Sequence, residues 1–297
     1  MVNSPLAVLL ALFSTFGFGA AFMLTQFALQ RMPPRLGAAF SVPTSTLLFW
    51  CLAPFSIDPA EADLSAAGLF AGIGLLFPAA VTLSNFESNR LMGPNIAGAV
   101  GGLAPVFAVL LAMTLLGEHL RLLQLFGIAA IVAGVVLMYR RQWQALTVRG
   151  LWLLALPLGS SAIRGFVQPV IKLGLERWHS PIAAVVIGYT VSSAVLILAA
   201  LVPGHTLEQN FDRRSALWFA VVGLCNGSAV LSMYAALGRG PVTLVSPLVA
   251  AYPLVTLLLS FRFLETRARR SAAHSRHGRN RRWRRLIAHH ITSNDAN

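Results

Sequence analysis

Charge is scarce in this sequence: Asp, Glu, Lys and Arg make up 11% of its 297 residues, against about 25% in soluble domains. Lysine occurs once, at Lys172. With 56% hydrophobic residues and a mean hydropathy of +0.70, the composition excludes a soluble domain and predicts an integral membrane protein. Cysteine is also rare. Cys51 and Cys225 lie in separate apolar runs without CxxC spacing, which excludes a disulfide framework or thiolate metal site and predicts two buried small apolar side chains. Enzyme signatures are missing too: there is no HExxH, GxSxG, phosphate-binding loop or pair of intramembrane aspartates. The histidines fall in loops and the C-terminal tail, so neither catalysis, a metal nor a cofactor is expected. The N-terminus lacks the basic start of a signal peptide, and its apolar run reads as a retained first span. The formal charge of +13 belongs largely to the tail, where nine arginines between Arg267 and Arg285 are offset afterwards only by Asp295.

What is abundant is long apolar runs. A span needs ~20 mostly apolar residues to cross ~30 Å of hydrocarbon. Nine segments qualify, at about 5–29, 36–55, 65–86, 94–116, 122–139, 150–174, 181–202, 215–237 and 241–264. Their length predicts helices, because barrel strands would be half as long and would alternate. The segments also repeat. QFALQRMPP (26–34) resembles KLGLERWHSP (172–181), with Leu29 and Arg31 falling on Leu175 and Arg177. GPNIAGAVGGLAPVFAVLLAMTLLGE (93–118) resembles GPVTLVSPLVAAYPLVTLLLSFRFLE (240–265) at an offset of 147. A five-helix unit written twice enters the membrane in opposite senses, because five is odd, and inverted repeats are characteristic of secondary transporters. The expected fold is an all-α integral membrane protein built as an inverted repeat of five-helix units, with about nine transmembrane helices present of an expected ten.

These stretches, with the paired breaks after the first and sixth helices, resemble the EamA family of the drug/metabolite transporter superfamily over about residues 5–265. Gly127 and Gly134 are similar to a helix-packing motif of the related small multidrug resistance proteins. The resemblance implies a multi-pass carrier in the plasma membrane, with units at 1–149 and 150–265, and it gives efflux as the direction. It departs from the family at the end, where Glu118 is followed by a fifth helix but Glu265 by the arginine run. Central arginines cost about 2.5 to 3.5 kcal/mol each in a span, so 266–297 is expected to be a disordered basic tail. Two accounts stand for it: a genuine basic cytoplasmic extension, or a frameshift, since CGN arginine codons read one base later become GNN, which encodes Ala, Gly, Val, Asp or Glu.

Polar residues inside spans mark pathways. Arg164, Gln168 and Lys172 share one face of the sixth helix at i, i+4 and i+8, and a cationic face favours an anionic or zwitterionic solute. Lys172 near the helix end can instead snorkel. Thr25 and Gln26, at the corresponding place in the first helix, are candidate substrate contacts or interhelical hydrogen bonds. Asn226, between Gly223 and Gly227, and Tyr234 complete the candidate binding set. Glu87 in SNFESNR (84–90) is the candidate coupling carboxylate, or else part of a solvated helix end. Pro105, Pro169 and Pro253 are candidate helix breaks that shape or gate the pathway. Loop arginines divide eight against three in favour of an external N-terminus, whereas the family resemblance implies cytoplasmic termini.

The expected function is a secondary transporter that moves a small metabolite or drug-like solute by alternating access, with the lipid bilayer as surroundings and a proton as possible coupling ion. Nucleic acid is not expected. Two alternatives stand beside it: a membrane-anchored protein whose basic tail binds anionic lipid or nucleic acid, and an inactive truncated carrier.

Overall fold

The computed structural model describes residues 4–30, 32–143, 148–201 and 212–262. The tail 266–297 therefore lies outside the described residues, as do the expectations placed on it. The chain divides into two compact units, Met1–Thr256 and Leu257–Asn297. In the second, 257–262 is helical; the contacts and the site described below belong to the first.

Eleven helices follow in order: α1 (Ser4–Ala28), α2 (Pro34–Ser56), α3 (Leu64–Gly74), α4 (Ala79–Met92), α5 (Pro94–Gly101), α6 (Ala104–Leu115), α7 (Leu122–Trp143), α8 (Val148–Arg177), α9 (Pro181–Leu201), α10 (Arg213–Leu237) and α11 (Val242–Val249). A further helix, α12, starts at 252. No strand occurs among the described residues. Among the described residues, eight stretches are long and apolar enough to cross a membrane, including Leu64–Met92, which joins α3 to α4, and Val242–Arg262, which joins α11 to α12. The ninth predicted span is α7, apolar over Leu122–Gly134. Side chains such as Phe55, Leu64 and Leu123 stand almost fully exposed, as lipid-facing residues must in a protein whose solvent is hydrocarbon.

Local sequence sets the element ends. Pro34, Pro94 and Pro105 stand in first turns, where a missing N–H costs nothing. Asp63 accepts from Ala66 N at 2.6 Å and Asp212 from Ser215 N at 2.8 Å, capping α3 and α10. Gly93 (φ +79°) ends α4 and Gly117 (φ +63°) follows α6, backbone conformations that other residues rarely adopt.

The inverted repeat is visible in hydrogen bonds. Ser45 Oγ donates to Gly223 O at 2.7 Å, and its counterpart Ser192 Oγ donates to Gly74 O. Both glycines are required by close approach: a β-carbon on Gly223 would strike the carbonyl of Ser41, and one on Gly74 that of Gly188, the repeat equivalent of Ser41. Thr46 and Ser193, 147 residues apart, bond to each other at 2.7 Å, which places them beside the pseudo-two-fold axis relating the repeats. Thr15 Oγ1 donates to Leu248 O and Ser161 Oγ to Val100 O, each at 2.8 Å. These carbonyls end α11 and α5, where each span breaks before Pro253 and Pro105, and hydroxyls from the opposite repeat satisfy them.

Three expectations are corrected here. Pro169 breaks nothing: α8 runs unbroken through Pro157 and Pro169, because each removes a single ladder bond and the adjoining turns hold. Cys51 is exposed and Cys225 half-buried, since both lie toward the lipid-facing side, where a small apolar thiol is equally at home. Among the described residues nothing lies within 4 Å of a β-carbon built on Gly127 or Gly134, because α7 lies at the periphery and its neighbours do not reach them.

Candidate functional site

One end of the bundle is open. Between the α1–α2 turn, α4 and the start of α8 lies a cavity of about 930 Å³ whose walls include Met32, Arg35, Leu83, Glu87, Arg90 and Leu156. Glu87 is at its mouth, partly exposed and paired with Arg90. The pairing follows from their i, i+3 spacing on α4.

Deeper along the same helices, α1, α2, α4 and α10 enclose a polar pocket of about 30 Å³, one water's share of volume. Its walls carry Thr25, Thr82, Asn85, Asn89 and Asn226, with Phe22 as an aromatic side. Asn85 Oδ1 accepts from Ser160 Oγ of α8 at 2.9 Å. Asn89 Nδ2 donates to Phe22 O at 3.1 Å while its Oδ1 has no partner. Thr25 donates to Ala21 O at 2.7 Å. The structure places Thr25 and Asn226 in the wall of one pocket, with Asn85 and Asn89 beside them. Thr82, Asn85 and Asn89 recur at i, i+3 and i+7 and so fall on one helical face, a signal that pointing to Glu87 alone overlooked. Gln26 does not join them: it is exposed, one residue around the helix from Thr25.

At the centre stands Arg164, only 4% exposed. Its guanidinium lies 5.5 Å from the Phe18 ring and 5.6 Å from the Tyr252 ring, within cation–π range. Nε and Nη1 have no hydrogen-bond partner, nor do Gln168 Oε1 and the hydroxyls of Tyr189 and Tyr252. Tyr252 stacks on Phe22, with centroids 5.1 Å apart, and a β-carbon on Gly101 would meet its hydroxyl, so the α5 break leaves room for this ring. Tyr234 is buried within electrostatic reach of Tyr189.

Lys172 leaves this cluster. At the end opposite the cavity its Nζ donates to Glu118 Oε1 at 3.1 Å and to Gly240 O at 2.9 Å. The same carboxylate accepts from Val242 N and Thr243 N, both at 2.8 Å, and so caps α11. Glu118 is 11% and Lys172 17% exposed at the side chain. Burial acts to raise the Glu118 carboxyl, but the two backbone bonds and the ammonium outweigh it and hold it below the ordinary carboxylate range. This clasp joins the first repeat to the second and seals that end. The repeat alignment marked Glu118, but nothing in the sequence alone pairs it with Lys172.

Eight long apolar helices in two opposed repeats, helices broken at matching places and polar side chains between them define a multi-pass membrane transporter of the drug/metabolite type. The EamA-like transporter family matches residues 5–140 and 150–274, and the chain belongs to that family, whose usual location is the plasma membrane. A protein of known crystal structure is 20% identical and aligns over 85% of this chain and 86% of its own, with a TM-score of 0.65, a likeness of fold. No curated protein matches.

Proposed function

We propose that the protein is a secondary carrier that exports a small polar solute by alternating access. The observation that carries this reading is the difference between the ends: a cavity of about 930 Å³ opens at one, and the Glu118–Lys172 clasp closes the other. Between them a polar pocket is lined by broken and unbroken helices. Arg35, Arg90, Arg213 and Arg214 gather at the open end, so the positive-inside rule supports a cytoplasmic cavity, the loading side of an exporter. Of the two carboxylates near the pathway, Glu118 is held ionised. That leaves Glu87, at the cavity mouth, as the proton-coupling candidate.

Single cysteines at Ser84, beside the cavity, and at Thr243, beneath the clasp, in a background free of Cys51 and Cys225, test the arrangement with a membrane-impermeant thiol reagent. Ser84→Cys is expected to react from the cytoplasmic face in inverted vesicles and Thr243→Cys slowly from either face. Equal and fast labelling at both ends would refute alternating access and support a channel or a non-transporting bundle.

A further inference from the structure

We infer that Arg164 is the anion subsite of the carrier, and that the solute carries a single carboxylate. The inference rests on the carrier reading and names its substrate class.

Among the described residues, Arg164 is a cation without an anion. Of the helices packed on α8, only α4 carries a carboxylate away from the clasp, Glu87, and that one is bound to Arg90 at the cavity. Two aromatic faces offset part of the cost of burying the guanidinium, but they accept no hydrogen bonds, and Nε and Nη1 keep theirs unused. The buried groups without a hydrogen-bond partner include the Tyr189 and Tyr252 hydroxyls, which can donate to an anion, and Gln168 Oε1, which accepts. One guanidinium with two neutral phenols matches one negative charge, a carboxylate, better than a doubly charged phosphate. The site also connects to the polar pocket. Phe22 lines that pocket and stacks on Tyr252, and Ser160, one turn before Arg164 on α8, bonds Asn85 in its wall. A solute entering from the cavity would widen this pocket of about 30 Å³ to lay its body along Phe22 and the asparagines and its carboxylate on Arg164. A buried charge of this kind is retained where function needs it.

The test uses the full chain in nanodiscs without a gradient, so it is independent of transport. Thermal unfolding is followed with acetate, benzoate and N-acetylglycinate, each against its amide at matched ionic strength. The expected result is a concentration-dependent rise in Tm with at least one carboxylate and none with its amide. In Arg164→Gln that rise is expected to weaken by about tenfold in apparent affinity or more, and Arg164→Lys should recover part of it. The absence of any carboxylate-specific shift in the wild type, or an equal shift in Arg164→Gln, overturns the proposal. The carrier reading fails separately, if proteoliposomes show no flux of a solute that binds.

Discussion

Replacing Glu118 should damage the protein more than replacing the lysine it pairs with, and the structure says by how much. The Glu118 carboxylate accepts two backbone bonds from the first turn of α11 and one from Lys172. Hydrogen bonds to charged groups contribute about 1.5 to 3 kcal/mol each in full burial, and a helix cap is worth about 1. Part of this is lost to screening at a clasp that solvent reaches at 11% and 17% of its two side chains. Glu118→Ala should then cost about 2–3 kcal/mol, because it strips the α11 end and leaves an ammonium with only Gly240 O. Lys172→Met should cost about 1 kcal/mol, since the carboxylate keeps both backbone partners. At about 2–4 °C per kcal/mol for a chain of this size, the expected Tm losses in detergent are about 4–12 °C and about 2–4 °C. The double variant should lose less than the sum, because the orphaned ammonium is gone. A Lys172→Met loss equal to that of Glu118→Ala would refute the reasoning and make the carboxylate a counterion and no cap.

The same clasp sets a pH dependence. Because the folded pKa of Glu118 is depressed, its contribution is fully present above the ordinary carboxylate range and is lost as pH falls through the folded value. Tm should therefore drop on acidification below about pH 4, and less steeply in Glu118→Gln. Gly223→Ala, which drives a methyl into the Ser41 backbone, should destabilise by about 1–3 kcal/mol in thermal unfolding. Gly68→Ala on α3, where nothing lies within 4 Å, should instead stabilise by about 0.5–1 kcal/mol through helix propensity. Asn85→Ala should abolish solute flux in proteoliposomes with a loss of only about 1–2 kcal/mol, one buried hydrogen bond to Ser160; unchanged flux would remove Asn85 from the pathway.

The fold was legible because two physical signals overlap in the chain. Hydrocarbon demands uninterrupted apolar helices, so hydropathy alone located every span, and the recurrence of Gly-Pro and Glu at an offset of 147 exposed the repeat. Breaks inside spans were less visible. Pro105 and Pro253 stand just after real interruptions, yet Pro169 sits in an intact helix, because the neighbours rather than the proline decide whether freed carbonyls can be satisfied. Thr15 and Ser161 supply that satisfaction at the first two. The site was read in part. Thr25, Asn226 and Arg164 face inward as their chemistry implied, whereas Gln26 and Glu87 lie one helical step away, and a shift of one residue turns a side chain by about 100°. Lys172 was misplaced for another reason: its partner comes from 54 residues away, beyond anything periodicity can report.

An inverted repeat with identical halves would be equally stable open at either end, so some residue must break the tie if one state is to dominate. For an alternating-access carrier, we propose the clasp as that residue pair. By the repeat alignment Lys172 corresponds to Gln26, which is exposed at the open end, while Lys172 is engaged at the closed one. A charge present at one end and absent at the other biases the equilibrium by what the clasp contributes, and about 1 kcal/mol corresponds to roughly a fivefold ratio of populations. Lys172→Gln places the same residue at this position in both repeats. In that variant Thr243→Cys should label about fivefold faster from the far side while Ser84→Cys slows. Labelling unchanged at both positions would mean that the resting state is held by packing at the Gly74–Gly188 and Gly223–Ser41 contacts, with the ion pair contributing stability alone.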